Sequence, residues 1–234
     1  MNENGITGIF STSTHSVQEM DFLPGEPNAG NPWNTPLRKD AFAMSEEEKI
    51  RVIALHFREI MNVLGLDLTD ESLAGTPRRV AHMYVKEIFG GLDPGKKPAI
   101  TLFENGYGYD HMLVEMDIRF NSTCEHHLVP ILGNAHVGYF SSGKIIGLSK
   151  INRIVQYYAA RPQVQERLTV QVANELAGVV GTEDVAVVLE ASHLCVAARG
   201  IKDSQSKTVT ARYGGRFNDP GTKAEFLKYI KSKA

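Results

Sequence analysis

The sequence predicts an α+β fold, with an antiparallel sheet and helices stacked on one face, preceded by an N-terminal helical region. The order of patterns along the chain supports this class: helices come first, then strands, then two consecutive helices, then further strands. Apolar and charged side chains also alternate over residues 114–120, which is typical of a half-buried strand. With 234 residues, the chain is long enough to bury a substantial core.

The chain divides into three parts by composition. Residues 1–40 contain a dense run of turn formers at 24–32, so we expect a flexible extension rich in Pro, Gly and Asn. Residues 41–98 form the predicted N-terminal helical region. Residues 99–234 hold the sheet, the remaining helices and every pair of closely spaced Cys and His residues.

Two helices are predicted in the N-terminal region. Ser45 and Glu48 form a capping box, and the helix they begin is predicted to end at Gly65. Pro77 is placed at the first position of the second helix, where its missing N–H costs nothing. Arg78 and Arg79 fall in that first turn, where cations oppose the helix dipole, so they form either a solvated pair or an anion site.

The strand at 114–120 leads directly into the segment around Cys124. Residues 134–140 and 144–147 are predicted to pair as a hairpin that turns at 141–143.

The second half of the chain alternates helices and strands. Ser149 is predicted to cap the next helix, and Pro162 to open the helix after it. Strands are predicted at 185–189 and 208–213, and a short helix is predicted near the C-terminus.

Both cysteines of the chain lie next to histidines. Cys124 and His127 have the spacing C-x-x-H, and His193 and Cys195 have the spacing H-x-C. Thiolate and imidazole are ligands that Zn²⁺ favours, and a set of three leaves a fourth position for water, as a catalytic zinc needs. Three alternatives stay open at this point: free cysteines that pack as small hydrophobes, a disulfide in a secreted chain, or a closed structural zinc site.

Composition excludes several classes of function. A net charge of −2 indicates no strong field for nucleic acid or a membrane surface. No apolar run approaches the roughly 20 residues that span a bilayer, and the N-terminus has no secretory signal pattern. Two cysteines without a signal favour a reducing compartment, so we expect a cytoplasmic protein without a disulfide.

Four segments together resemble GTP cyclohydrolase I of the zinc-dependent type. The resemblance runs from about Ser45 to the C-terminus and includes Thr76–Val80, whereas residues 1–40 lie outside it. The four segments are Ser122–His127, Gly147–Arg153, Arg161–Arg167 and His193–Gly200.

The resemblance implies an activity and an assembly. That family hydrolyses GTP to formate and 7,8-dihydroneopterin triphosphate, the first step towards tetrahydrofolate or tetrahydrobiopterin. Its fold is the tunnelling fold, an antiparallel sheet with two helices on one face. Its subunits form pentameric rings that stack into a homodecamer, with active sites between subunits. The resemblance also implies that residues 99–234 form the catalytic tunnelling-fold domain.

The resemblance also implies a role for each matching residue at the metal. Cys124, His127 and Cys195 match the zinc ligands, and the zinc-activated water attacks C8 of guanine. His193 matches the general acid that protonates N7, and His126 matches a histidine near the ribose ring oxygen.

Substrate contacts are implied in the same way. Glu166 matches the residue that holds the guanine edge, Gln165 is expected to contact the base or ribose, and Ser149 matches a residue near the ribose. The matches to the triphosphate clamp are Lys150, Arg153, Arg199 and Arg79.

Two other functions compete with this hypothesis. Another tunnelling-fold enzyme of pterin or deazapurine chemistry would use a lone cysteine nucleophile or a different set of histidines. A binding module with a closed structural zinc would use His126 or His193 as fourth ligand and would not need Glu166.

Overall fold

The computed structural model describes residues 31–231, and the residues from Trp33 onward belong to one compact unit. Most of the predicted extension, residues 1–30, lies outside the described residues. Helix α1 spans Glu46–Val63 and begins with the predicted capping box. The Ser45 hydroxyl accepts from the Glu48 N–H, and the Glu48 carboxylate accepts from the Ser45 N–H at 2.8 Å.

Helices α2, Glu71–Ala74, and α3, Thr76–Met83, follow α1. A π-helical turn at Tyr84–Ile88 extends α3. Its Tyr84 ring packs edge-on against Phe57 of α1, with ring centroids 5.4 Å apart. The predicted helical region is therefore confirmed, and aromatic contacts join its two longer helices.

Gly91 joins this helical region to the rest of the compact unit. Its N–H donates to Ala160 O at 2.9 Å, and its carbonyl accepts from Arg161 Nε at 2.7 Å. A Cβ atom at this position would lie 2.0 Å from Tyr157 O. Only glycine allows so close an approach of the two backbones.

The sheet is mostly antiparallel, with the strand order β5-β2-β3-β6-β7, and only the short β2–β5 pairing is parallel. A separate two-stranded sheet pairs β1 with β4. The strands are β1 Leu102–Glu104, β2 Leu113–Cys124, β3 Pro130–Tyr139, β4 Lys144–Ile146, β5 Pro162–Gln163, β6 Val185–His193 and β7 Thr208–Tyr213. The remaining helices are α4 Leu148–Ala159, α5 Gln165–Val180, α6 Leu194–Ala197 and α7 Pro220–Lys231.

Helices α4 and α5 cover one face of the five-stranded sheet. Ile151 of α4 and Leu168 of α5 belong to the same buried cluster as Phe120 of β2 and Leu189 of β6. A smaller cluster on other residues of the sheet includes Phe226 from α7. The predicted α+β class, with two helices packed on one antiparallel sheet, is confirmed.

The predicted hairpin between β3 and β4 is wrong. Residue Leu102 of β1 pairs with Ile146 of β4, whereas β3 lies between β2 and β6. Both edges of β3 are already used by longer strands, and each full-length pairing satisfies more backbone groups than a three-residue partner could.

The predicted starts of α4 and α5 are also corrected. Gly147, not Ser149, occupies the N-cap position of α4, and Ser149 is the exposed second residue of the helix. Pro162 does not open α5: it begins β5, and Gln163 pairs with Cys124. Proline is tolerated there because a short edge strand can dispense with one ladder N–H.

The alternation predicted for β2 is interrupted by a β-bulge between Glu115 and Ile118. Asp117 has φ +54°, and its N–H donates to His136 Nδ1 at 3.3 Å. The bulge turns Met116 outward, so this residue is exposed although the pattern placed it on the apolar face. Beyond the bulge, Ile118 and Phe120 are buried as predicted.

Within residues 31–231, no helix combines the length and the apolar character needed to cross a bilayer.

Candidate metal centre and its surroundings

The sheet topology brings the two cysteines to the same end of the sheet. Strands β2 and β6 are both antiparallel to β3, so they run in the same direction and end on the same side. Ile131 of β3 pairs with Ser122 on one side and with His193 on the other. Cys124 and Cys195 each lie two residues further along, so both emerge just beyond the same level of the sheet.

Cys124, His127 and Cys195 form a group of potential metal ligands. One donor atom from each residue lies within 4.8 Å of the others. Cys124 is buried, Cys195 is partly buried and His127 is exposed, so one side of the group faces solvent. Two thiols and one imidazole with an open side fit a zinc ion that keeps a water position. In the described part of the chain, no other His, Cys, Asp or Glu residues form such a group.

The turn between β2 and β3 presents the two histidines. Leu128 N donates to Cys124 O at 2.8 Å, and Cys124 N donates to Val129 O at 2.9 Å. Leu128 has φ +51°, which is uncommon for a residue with a branched side chain. His126 lies on the rim, its side chain 64% exposed, with Nδ1 3.8 Å from Cys124 Sγ.

Burial raises the pKa of the Cys195 thiol, and its hydrogen bond with Cys124 raises that pKa further. The charge of Arg199 acts in the opposite direction, which places this predicted clamp residue near the metal centre. A metal bound here would have to displace the proton of the Cys195 thiol, as expected for a thiolate ligand.

His193 is held beside the metal group by Gln165. Its Nε2 lies 2.8 Å from Gln165 Oε1. Burial lowers the pKa of the His193 imidazole, and the nearby charge of Glu166 opposes this effect. Glu166 is exposed, so its carboxylate is available to a ligand, whereas Gln165 is buried and hydrogen-bonded within the protein.

The remaining predicted clamp residues lie on α3 and α4. The Arg79 guanidinium donates to Ser72 O and Thr76 Oγ1, on the N-terminal helices. Arg153 lines a surface cavity together with Lys86 and Lys96. Lys150 is half-buried in the first turn of α4, next to the exposed Ser149.

Two residues near the group of candidate metal ligands were not singled out from the sequence. Arg167 of α5 donates to both carboxylate oxygens of Glu125, which lies between Cys124 and His126. The Glu125 N–H also donates to Gln163 O at 3.1 Å. The position of Glu125 next to the predicted ligand Cys124 could have drawn attention to it. The neighbouring sequence did not indicate which basic residue would pair with its carboxylate.

Comparisons with known proteins agree with the resemblance. The profile of the family described as GTP cyclohydrolase I matches residues 53–231. GTP cyclohydrolase 1 of Flavobacterium johnsoniae is 58% identical over 217 residues, which cover 92% of this chain and 97% of that protein. GTP cyclohydrolase 1 of Aeromonas salmonicida is 54% identical over 192 residues, which cover 82% of this chain and 88% of that protein. Among solved structures, the apo form of the archaeosine synthase QueF-Like is similar over 44% of this chain and 93% of its own, with 15% identity and a TM-score of 0.38.

Proposed function

Because this chain belongs to the GTP cyclohydrolase I family of enzymes, we propose that it hydrolyses GTP to 7,8-dihydroneopterin triphosphate and formate. This product leads towards tetrahydrofolate or tetrahydrobiopterin. The observation that carries the proposal is that donor atoms of Cys124, His127 and Cys195 lie within 4.8 Å of one another, while the charge of Glu166 acts on His193, two residues before Cys195.

We propose that the metal is Zn²⁺ and that Cys124, His127 and Cys195 hold it. A bound zinc ion lowers the pKa of its water to about 7, which supplies a nucleophile for guanine C8 at neutral pH. The donor set supports zinc because thiolates select soft or borderline metals over magnesium or calcium. Both cysteines are free thiols, which is compatible with a reducing cytosol.

The two histidines outside the ligand group supply proton transfer. His193 donates a proton to N7 of guanine, which makes C8 a better electrophile. His126 lies on the exposed rim, where it assists opening of the ribose at the ring oxygen, and Ser149 acts in the later rearrangement. A positioned acid of this kind is typically worth about 10²- to 10⁴-fold in rate.

Glu166 selects guanine. Its carboxylate accepts hydrogen bonds from N1–H and from the exocyclic amine, a pair of donors that adenine lacks. Its charge acts on His193, so the group that holds the base lies near the group that protonates it. A site that depends on such polar pairing can reject the wrong base by orders of magnitude.

The triphosphate is held by Lys150, Arg153, Arg199 and Arg79, since basic side chains bind phosphate strongly. Arg79 lies on α3, Lys150 and Arg153 lie on α4, and Arg199 lies near Cys195. We propose that the sites are completed between the subunits of a homodecamer of two stacked pentamers. Strand β7 is the outer strand of the sheet, and Val209 on it is 60% exposed. An edge of this kind is suited to pairing with another chain.

The test is incubation of the purified full chain with GTP while formate and the ultraviolet spectrum are followed. We expect one formate for each GTP consumed, loss of turnover with a chelator, and recovery when Zn²⁺ is restored. A zinc-containing protein that releases no formate from GTP would instead indicate a structural metal. Turnover of a different purine or pterin would indicate another tunnelling-fold activity.

A further inference from the structure

Gln165 is surrounded by groups that determine how its amide is oriented. Its Nε2 donates to Leu189 O of β6 at 3.2 Å and to Thr208 O of β7 at 3.0 Å. Backbone carbonyls can only accept hydrogen bonds, so the amide nitrogen must face them. The amide oxygen therefore faces the other way, towards His193 Nε2 at 2.8 Å.

Two threonine hydroxyls complete the network with compatible directions. The Thr169 hydroxyl donates its only hydrogen to the backbone carbonyl oxygen of Gln165, at 2.8 Å. Thr210 Oγ1 lies 2.7 Å from Thr169 Oγ1 and must therefore be the donor in that contact. Thr210 keeps lone pairs that can accept from Gln165 Nε2, 3.1 Å away, so the two amide hydrogens are shared among three acceptors.

The network determines the state of the histidine. An amide oxygen only accepts, so His193 Nε2 must carry a hydrogen. Within residues 31–231, His193 Nδ1 has no hydrogen-bond partner. We propose that Gln165 is a positioning residue, which holds the His193 ring with its hydrogen on Nε2 so that Nδ1 exchanges the proton with the substrate.

The catalytic consequence of this inference rests on the proposed function. It specifies that Nδ1 is the nitrogen of His193 that gives the proton. In the charged ring, both nitrogens carry hydrogen. As the bond from hydrogen to guanine N7 forms, the Nδ1–H bond breaks and its electron pair stays on Nδ1. The neutral ring that remains keeps Nε2–H, the form that Gln165 Oε1 holds. Gln165 thus acts through His193 rather than by touching the base or ribose.

Without this contact, the ring can rotate or adopt the other tautomer, and the wrong nitrogen then faces the substrate. Outer partners that orient metal-ligating histidines are typically worth about 10- to 100-fold in metal affinity or activity, and we expect the same range for a partner of His193. We therefore expect Gln165→Leu to lower kcat for GTP by about 10- to 100-fold, with KM and zinc content close to those of the original chain.

The matched control is Gln171→Leu. Gln171 is also a buried glutamine on α5, but its amide contacts Trp33 O and Gln163 instead of a histidine. Loss of packing or of a buried amide affects both variants, whereas loss of histidine positioning affects only Gln165→Leu.

The deciding measurement is nitrogen-15 NMR of labelled histidines in the zinc-loaded full chain, with His193 assigned from His193→Gln. We expect Nε2 to be the protonated nitrogen in the original chain and in Gln171→Leu, and a mixture of tautomers in Gln165→Leu. An unchanged tautomer in Gln165→Leu would overturn the inference, and so would equal kcat values for Gln165→Leu and Gln171→Leu. If the original chain released no formate from GTP, the proposed function would fail. The NMR comparison would still decide whether Gln165 determines which nitrogen of His193 carries the hydrogen.

Discussion

Arg167 holds Glu125 through two hydrogen bonds, of 2.6 and 3.1 Å, that join α5 to the segment between Cys124 and His127. Both side chains are largely buried, with 11% and 25% of their surfaces exposed. Two parallel bonds between a guanidinium and a carboxylate restrict orientation as well as distance. The pair therefore fixes the backbone between Cys124 and His126 relative to the helix that begins with Gln165 and Glu166.

Arg167→Met should destabilise this arrangement, because the half-buried Glu125 carboxylate loses its partner. We expect the free energy of unfolding to fall by about 1–3 kcal/mol, and zinc affinity to fall with it. Denaturant unfolding and competition with a metal indicator would measure the two effects. The control is Lys207→Met, which breaks the more exposed pair with Glu190 and should cost less than about 1 kcal/mol. Equal losses in the two variants would contradict a special role for Arg167.

Cys195→Ala should remove both zinc and turnover, since two remaining ligands hold the ion weakly. His126→Ala should keep zinc and lose rate, because we propose His126 as a proton-transfer group outside the ligand set. Metal content by mass spectrometry and formate release from GTP would separate the two outcomes. Full zinc occupancy in Cys195→Ala, or zinc loss in His126→Ala, would contradict the assignment.

Glu166→Gln should leave zinc bound and greatly reduce the use of GTP. The amide can no longer offer two acceptor oxygens to N1–H and the exocyclic amine. We expect kcat/KM for GTP to fall by about 100-fold or more, because the site depends on this polar pairing to select guanine. Steady-state kinetics would show this, and kinetics like those of the unaltered chain would rule out a guanine contact.

Glu46 should contribute to stability in a pH-dependent way. Hydrogen bonds from Lys86 and Lys96 lower the pKa of its carboxyl from the ordinary 4.5 to about 2. A carboxyl with a lowered pKa in the folded state stabilises above its unfolded pKa, and this contribution is lost as the pH falls. The difference in denaturant midpoint between Glu46→Gln and the original chain should be constant above pH 5 and shrink between pH 4.5 and about 2.

The control for that series is Glu47→Gln, because Glu47 lies 3.8 Å from Lys86 and its side chain is 73% exposed. Its midpoint should differ little from that of the original chain at any pH. The same pH dependence in both variants would contradict a specific contribution from Glu46.

Gly91→Ala should weaken the junction between the N-terminal helices and the sheet domain. The added methyl would lie 2.0 Å from Tyr157 O, so a backbone must move, at a cost of about 1–3 kcal/mol. Gly178→Ala is the control, since nothing lies within 4 Å of its added methyl and it is in helix α5. That control should gain about 0.5–1 kcal/mol from helix propensity, as thermal unfolding would show. A stability for Gly91→Ala equal to that of the original chain would contradict the close approach.

Local patterns in the sequence determined the features that depend on a few neighbouring residues. The capping box at Ser45 satisfies its own N–H groups, so α1 begins where predicted. The short spacings around Cys124 and Cys195 predicted a metal site, and the family resemblance selected Cys124, His127 and Cys195, whose donor atoms lie within 4.8 Å of one another.

Tertiary structure alone decided which distant groups meet. The sequence pattern marked β3 as a strand but carried no information about its partners, so β4 was paired with it wrongly. Pro162 looked like a helix start, yet the end of β2 needs a hydrogen-bonded neighbour, and β5 provides it. The contacts of Arg167 with Glu125 and of Gln165 with His193 join residues 42 and 28 positions apart. Such contacts follow from packing of the whole sheet against α5, because local propensities describe each segment and only burial selects which segments share a surface.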